Sequence, residues 1–126
     1  MSKYLLETDI LADYLASYDN IDNHLIFLMQ KGICYTNVLN AAELLAACKY
    51  ENEHNLIRNV LGSLKVLGLN SRYALTVPEY SDKTNSVRDA LFSVVASFNK
   101  IPIVTFNKDR YKKTNLKIIH PQELRV

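Results

Sequence analysis

The chain has 126 residues and a mass of 14.4 kDa, which indicates one domain over residues 1–126. Hydrophobic residues make up 48% of it, enough for a packed core, so the composition excludes an intrinsically disordered protein. The net charge of +2 conceals an uneven distribution: residues 1–63 hold 8 acidic and 4 basic residues, and residues 64–126 hold 5 and 11. This asymmetry is a weak indication of a polyanionic partner such as a nucleic acid.

Several classes of protein are not expected from this sequence. No apolar run approaches the roughly 20 residues that cross a bilayer, and the apolar stretch before Glu7 is too short for a signal peptide. Cys34 and Cys48 form neither a disulfide framework nor a zinc-binding spacing, and the three glycines do not form a phosphate-binding loop. We therefore expect a cytoplasmic protein with no membrane association.

The hydrophobic pattern predicts strands that alternate with helices. In chain order we expect a strand at 4–6, a helix from 10 to 15 capped by Thr8 or Asp9, a helix at 21–30 closed by Gly32, a strand at 33–38, helices at 40–50 and 54–66, a short strand at 66–69, a helix at 89–99, and strands at 101–105 and 116–119. Residues 70–88 predict no regular element. The strands are continuous apolar runs, which is typical of a parallel sheet covered on both faces. We therefore predict an α/β protein, a three-layer α/β/α sandwich with a mostly parallel central sheet.

Four polar residues lie where a ligand of such a sheet would bind, beyond the carboxyl ends of the strands. Glu7 directly follows the first strand, Asn107 follows a late strand, and Glu43 and Asp89 each lie near the start of a helix. A carboxylate cluster without histidine or cysteine suits Mg²⁺ or Mn²⁺. Such an ion activates water and stabilises the charge that develops on a phosphate.

Each of these residues also has a structural interpretation. The segments 40–43 and 86–89 match the capping box, in which Glu43 and Asp89 would cap helices. Asn107 is also an ordinary turn residue. Glu7 is harder to explain in this way, because a buried carboxylate needs a partner.

A basic segment follows Asn107. Five basic residues lie within residues 108–117: Lys108, Arg110, Lys112, Lys113 and Lys117. The segment is either a solvated surface or a surface that binds phosphates. Within it, Tyr111 either stacks on a base or packs in the core, and we favour core packing.

Three segments, in order and at matching separation, resemble the PIN-domain nucleases, in particular the VapC-like toxins. YLLETDILADYL resembles the family's opening, which usually reads YLLDTNxLIDYL. TNVLNAAELLAAC resembles the second block, with Glu43 at the acidic position. DALFSVVASFNKIPIVTFN is similar to the third and fourth blocks, DALIAATAxxxGLPLVTRN. The resemblance covers most of the chain except residues 70–88.

This resemblance implies a Mg²⁺- or Mn²⁺-dependent endoribonuclease with a three-layer fold. It implies that Glu7, Glu43 and Asp89 are the metal ligands and that Asn107 is the fourth catalytic position, with Thr105 orienting that end. From the charge pattern, the candidate RNA-binding residues are Lys108, Arg110, Lys112 and Lys113. Asp9 and Asp109 are further candidates to support the site. The resemblance also implies a VapB-type antitoxin partner and a homodimer.

The sequence departs from the family pattern at the first acidic position. Glu7 stands where the family has Asp, and the extra methylene displaces the carboxylate by about one C–C bond. Asp9, where the family usually has Asn, would supply a second oxygen nearby, and the stretch 70–88 looks short for a helix that shields the site. The substitution at position 7 motivates an alternative hypothesis: a degenerate PIN-like domain that binds RNA or a protein without cleaving RNA.

Overall fold

The structure, a computed structural model, describes residues 1–17, 19–20 and 22–125. Within them the strands are Ser2–Leu6 (β1), Gly32–Asn37 (β2), Lys65–Leu67 (β3), Ile103–Val104 (β4) and Ile118–Ile119 (β5). The α-helices are Thr8–Ala16 (α1), His24–Lys31 (α2), Val38–Ala47 (α3), Glu51–Gly62 (α4) and Val87–Asn99 (α5). Short 3₁₀ turns span Ser71–Leu75, Val77–Glu79, Lys108–Tyr111 and Pro121–Arg125. None of the helices in these ranges is both long enough and apolar enough to cross a membrane.

The strands form one sheet in the order β3-β2-β1-β4-β5, and every neighbouring pair is parallel. Leu5 in the central strand lies opposite Tyr35 of β2 on one side and Ile103 of β4 on the other. The chain winds outward from β1 through β2 to β3, then returns to the other side of β1. The strand order therefore reverses between β1 and β4, which is where open α/β sheets bind their ligands.

Both faces of the sheet are covered, as the apolar strands predict. Successive side chains of β1 point to opposite faces: Tyr4 and Leu6 pack in a cluster built with α1, α2, α3 and α4. Leu5 packs in a second cluster with Phe92 and Val95 of α5. The predicted α/β/α sandwich is confirmed, with a sheet that is wholly parallel among the described strands.

The first residues of α1 and α3 differ from the prediction because other side chains cap these helices. The carboxylate of Glu7 accepts a hydrogen bond from the Thr8 amide (2.8 Å), so neither Thr8 nor Asp9 caps α1. The side chain of Asn37 accepts from the Asn40 amide (3.0 Å), so α3 begins at Val38. The predicted capping box over residues 40–43 is therefore wrong, since its first residue lies inside the helix.

Other boundaries shift by a few residues. The helix predicted at 21–30 begins at His24 and ends at Lys31; Ile21 lies outside the described residues. The helix predicted at 54–66 occupies Glu51–Gly62, with acidic residues in its first turn, where the helix dipole favours them. Ser86 caps α5 by accepting from the Asp89 amide (3.1 Å), as half of the predicted capping box requires. The strands predicted at 101–105 and 116–119 are each shortened to two residues.

Candidate functional site

Glu7 lies at the carboxyl end of the central strand, at the reversal point of the sheet. Its side chain is fully buried (0% exposed). The Oε1 atom accepts hydrogen bonds from the Thr8 amide (2.8 Å) and from Nδ2 of Asn40 (3.1 Å), and Oε2 accepts from the hydroxyl of Tyr111. This carboxylate is therefore held by protein groups and not by solvent.

Two further carboxylates, from different helices, face the same point. Asp89 in the first turn of α5 is nearly as buried as Glu7, with 3% of its side chain exposed. Glu43 in α3 is 39% exposed and forms the open side of the cluster. The structure thus brings together the three acidic residues that the sequence singled out.

A single guanidinium, that of Arg88, lies between these three carboxylates. Its Nη1 and Nη2 atoms each donate to one oxygen of Glu7 at 2.5 Å, a two-pronged pairing. Nη2 also donates to Glu43 Oε1 at 2.7 Å, and Nε lies 3.2 Å from both oxygens of Glu43. Nη1 lies 3.2 Å from Asp89 Oδ1. Arg88 contacts every member of the acidic cluster.

A second guanidinium, that of Arg110, offsets part of the remaining negative charge. Arg110 donates from Nε to Asp89 Oδ2 at 2.8 Å, and its Nη1 lies 3.5 Å from Glu7 Oε2. Three carboxylates therefore face two guanidinium groups, which leaves one uncompensated negative charge. Arg110, expected to bind RNA, is committed in this state to the acidic cluster.

The ionisation of the cluster follows from these contacts. Burial by itself would raise the pKa of Glu7, but the hydrogen bonds and charge of Arg88, together with the Tyr111 hydroxyl, hold that pKa below its usual value. Burial would lower the pKa of Arg88, yet Glu7 and Glu43 raise it above the ordinary value. Burial and the charge of Glu7 raise the pKa of Tyr111. All three shifts favour a carboxylate at position 7, a guanidinium cation at 88 and a protonated phenol at 111.

Asp9 and Thr105 join α1 to the end of β4 beside the cluster. The Thr105 hydroxyl donates to Asp9 Oδ2 (2.7 Å), and the amide of Phe106 donates to the same oxygen (3.1 Å). The Oδ1 atom of Asp9 is buried and has no hydrogen-bond partner among the described residues. Burial raises the pKa of Asp9, although both hydrogen bonds act in the opposite direction. Asp9 thus orients the β4 end beside the acidic cluster.

Asn107 lies in a neighbouring cavity and makes no side-chain hydrogen bond to the three carboxylates. This cavity has a volume of about 360 Å³ and is polar; its lining combines the 82–85 loop with the basic segment, at Asp82, Lys83, Thr84, Asn85, Asn107, Asp109, Arg110, Lys112 and Lys113. Lys112 and Lys113 are exposed, and neither forms an ion pair within the described part of the chain. Lys108, by contrast, pairs with Glu123 at 2.5 Å.

The fit of a divalent cation to these residues depends on Arg88. Three carboxylates are the donors that Mg²⁺ or Mn²⁺ prefers. With Arg88 in its observed position, however, both oxygens of Glu7 are engaged and the guanidinium occupies the space between the carboxylates. No group of three acidic, histidine or cysteine side chains in the described ranges is arranged to hold a metal ion. The observed arrangement therefore does not admit one.

Sequence reasoning missed Arg88 and only partly anticipated Tyr111. Tyr111 packs in the core as favoured, 5.9 Å from the ring of Phe92, but its hydroxyl also contacts Glu7. One local signal pointed to Arg88: a basic residue in the first turn of a helix is disfavoured by the helix dipole and needs compensation. Nothing local indicated that Glu7, 81 positions away, supplies it.

Comparisons with known proteins agree with this fold. The model of a family described as PIN domain matches residues 4–116. A toxin–antitoxin complex from Klebsiella pneumoniae is 13% identical, with a TM-score of 0.77 over 94% of this chain and 97% of that one. DNA-bound VapBC from Salmonella typhimurium is 17% identical, with a TM-score of 0.76 over 94% and 98%. VapBC2 from Rickettsia felis, bound to a DNA fragment from its promoter, is 19% identical, with a TM-score of 0.74 over 93% and 97%. No curated protein of significantly similar sequence was found.

Proposed function

We propose a function from the premise that this chain belongs to the PIN domain family. The function is that of a metal-dependent endoribonuclease, which hydrolyses phosphodiester bonds of RNA. One observation carries the proposal: Glu7, Glu43 and Asp89 come from three separate elements and all lie within hydrogen-bond distance of a single guanidinium. A site that gathers three carboxylates around one cation has the donors that a nuclease metal requires.

The proposed metal is Mg²⁺ or Mn²⁺, held by Glu7, Glu43 and Asp89 when Arg88 has withdrawn. Such an ion supplies an activated water and offsets negative charge on the phosphate. Tyr111 and Asn40 hold the Glu7 carboxylate in place, each through a direct hydrogen bond. Asp9 and Thr105 fix the end of β4 next to it.

The basic cavity beside the acidic cluster is the proposed path of the RNA strand. Lys112 and Lys113 are exposed on its wall and are available to phosphates. In the sequence, Asn107 lies between Asp89 and the two lysines. Its side chain is exposed, so its amide can hydrogen-bond to the substrate. Asp109 lines the same cavity, while Lys108 and Arg110 first have to leave their ion pairs.

The proposed role in the cell is that of the toxin in a toxin–antitoxin pair, acting in the cytoplasm. It is supported by the structures with this fold, which include a toxin–antitoxin complex and VapBC assemblies. A VapB-type antitoxin is the proposed partner. The test is co-purification with the product of a neighbouring small open reading frame; an isolated gene whose product does not inhibit its own host would contradict this role.

A homodimer is proposed as the assembly. Leu75 (80% exposed) and Phe98 (55% exposed) are apolar side chains that a second copy would cover. Light scattering measures the mass directly, and a monomer at micromolar concentration would reject this assembly.

The nuclease proposal is tested by incubating purified protein, free of any antitoxin, with RNA and Mn²⁺. We expect cleavage that stops with EDTA and falls by at least about 100-fold in Glu43→Gln, because a ligand to the metal is lost. Glu43 suits this test because it is half exposed, so its loss costs little stability. Glu79→Gln, which removes an exposed carboxylate that makes no ion pair or side-chain hydrogen bond among the described residues, is the matched control and should cleave normally. Intact RNA with both Mg²⁺ and Mn²⁺ would contradict the proposal.

The second candidate is an RNA- or protein-binding module that does not cleave. Arg88 favours it, because an acidic site whose charge is largely offset by arginines of the same chain needs no metal. The Glu7→Asp variant separates the two candidates. The shorter side chain of Asp weakens the two-pronged pairing with Arg88. A nuclease whose activity is reduced by Glu7 would therefore cleave RNA faster, whereas a binding module would still leave RNA intact.

A further inference from the structure

The contacts of Arg88 resemble those that a bound cation would make. Its guanidinium donates to both oxygens of Glu7 at 2.5 Å and to Glu43 at 2.7 Å, and it lies 3.2 Å from Asp89. The Thr8 hydroxyl accepts another of its hydrogen bonds at 2.9 Å. The plane of the group also lies near the ring of Phe92, with 5.3 Å between the guanidinium carbon and the ring centroid. These contacts hold the Arg88 side chain in place and leave 17% of it exposed.

We propose that Arg88 is a built-in cation that occupies the acidic site in place of a divalent metal, so that metal binding and withdrawal of Arg88 are a single exchange. This inference rests on the proposed function, because it assumes that the three carboxylates are a metal site. It assigns to Arg88 a positioning and inhibitory role that neither the motif nor the fold predicts.

Charge explains why the guanidinium and a metal exclude each other. With Arg88 and Arg110 both present, three carboxylates face two cations, and a single negative charge remains for an incoming ion. When Arg88 leaves, only Arg110 remains, and the two uncompensated negative charges match one divalent cation. Space acts in the same direction, because both oxygens of Glu7 accept hydrogen bonds from Arg88.

The position of Arg88 permits withdrawal without unfolding. Its side chain is 17% exposed, and Glu43, on the open side, is 39% exposed. Ser86 caps the first turn of α5 through its own side chain, so the helix start does not depend on Arg88. The helix dipole also disfavours a cation in this turn, so the carboxylates are what hold it inward.

The principal test is calorimetric titration of Mn²⁺ into the metal-free full chain and its variants. Arg88→Gln should bind one Mn²⁺ at least tenfold more tightly than the wild type, because the competing cation is gone. Arg58→Gln removes an exposed arginine from α4, which has no ion pair among the described residues, and should match the wild type. Equal affinity in the wild type and in Arg88→Gln would overturn the inference.

Thermal unfolding supplies a readout that does not depend on catalysis. In EDTA, Arg88→Gln should melt below the wild type, because buried Glu7 loses its main partner. Mn²⁺ should raise the melting temperature of the variant by more than it raises that of the wild type. A variant that folds only in the presence of Mn²⁺ would also support the exchange. Equal shifts in the two proteins would contradict it.

A second variant tests the exchange if Arg88→Gln folds neither in EDTA nor in Mn²⁺. Arg88→Lys keeps the positive charge, but its ammonium cannot pair with both oxygens of Glu7 in the same fork geometry. Mn²⁺ should displace it more readily and bind more tightly than to the wild type. Affinity unchanged from the wild type would overturn the proposal.

The outcomes also separate this inference from the proposed function. If the wild type binds Mn²⁺ as tightly as Arg88→Gln and cleaves RNA, the exchange is wrong and the nuclease stands. If folded Arg88→Gln binds no metal, the three carboxylates are not a metal site, and both the exchange and metal-dependent cleavage are wrong.

Discussion

The carboxylate at position 7 ends a buried strand and is compensated by side chains from three distant parts of the chain. Arg88 supplies the charge, and Asn40 and Tyr111 supply further hydrogen bonds. A buried ion pair contributes little net stability when it is complete, but the loss of one partner leaves an uncompensated charge. Single substitutions around Glu7 should therefore have large and unequal effects.

Tyr111→Phe isolates one of these partners. The change removes the hydroxyl that donates to Glu7 but keeps the ring against Phe92, so we expect a loss of about 1–2 kcal/mol in the free energy of unfolding in urea. Tyr35→Phe is the matched control, since that hydroxyl makes no hydrogen bond within the described part of the chain and its loss should cost under about 0.5 kcal/mol. Equal effects of the two changes would contradict a role of the Tyr111 hydroxyl.

The two cysteines should differ in reactivity. Cys34 lies buried in β2, and burial raises the pKa of its thiol to about 12, so at pH 8 about one molecule in ten thousand carries the thiolate. Cys48, just beyond α3, is partly exposed. Ellman's reagent at pH 8 should therefore modify Cys48 in the folded protein and Cys34 only on unfolding. Cys48→Ser should abolish the early reaction; an early reaction that persists would place reactive sulfur at Cys34.

At the scale of elements, the junction of α2 with β2 depends on one close approach. Gly32 begins β2 in an extended conformation, and a Cβ atom placed there would lie 2.4 Å from the carbonyl oxygen of Ser2 in β1. The neighbouring strand could relieve this contact only by moving its backbone. The glycine that the sequence marks as the end of a helix is needed for the pairing of the two strands.

Substitution of two glycines by alanine should therefore have opposite effects. Gly32→Ala should lower the free energy of unfolding by about 1–3 kcal/mol, because β1 has to shift. Gly62→Ala, at the end of α4, should raise it by about 0.5–1 kcal/mol through better helix propensity, because no atom beyond the adjacent residues and the backbone of that helix lies within 4 Å of the new methyl group. Chemical denaturation measures both values; a neutral Gly32→Ala would show that β1 and β2 lie further apart.

For the whole molecule, the fold turns the charge asymmetry of the sequence into two adjoining regions. Glu7 and Glu43 from the acidic half meet Asp89 from the basic half, and a polar cavity lined by Lys112 and Lys113 lies alongside. The basic excess does not all face outward, because Arg88 and Arg110 pair with the carboxylates. The surface left for a polyanion is smaller than the count of basic residues implies.

The salt dependence of RNA binding should show whether the cavity lined by Lys112 and Lys113 is the binding surface. Replacing Lys112 and Lys113 by Gln should weaken binding and lower the slope of log K against log salt by about 1.4, since each lost contact with a single-stranded phosphate contributes about 0.7. The matched control replaces Lys49 and Lys65, which are also exposed but lie outside the cavity. Fluorescence anisotropy across a salt series measures both; the same slope for the two double variants would exclude the cavity as the binding surface.

Some properties of this protein follow from local sequence. The apolar runs predict the order of strands and helices and the parallel sheet, because side-chain periodicity is a short-range property. The motif spacing also indicates that Glu7, Glu43 and Asp89 meet, since residues after parallel strands share one edge of the sheet. The cap of α3 was misassigned because Asn37 and Asn40 are both good caps locally, and the end of β2 decides between them.

The state of the acidic site was decided by tertiary structure alone. The sequence places Arg88 beside Asp89, but its strongest partner, Glu7, is 81 positions away, and no local pattern relates the two. Arg110 and Lys108, both plausible phosphate ligands by composition, are likewise committed to carboxylates that the fold brings near. The sequence by itself predicted that Glu7, Glu43 and Asp89 gather at one end of the sheet, because segments that follow parallel strands share that end and the motif spacing resembles that of a known family. The cation that they hold is Arg88, and this was decided by tertiary structure. Only the packing of α5 against the end of β1 brings the guanidinium of Arg88 to 2.5 Å from the Glu7 carboxylate.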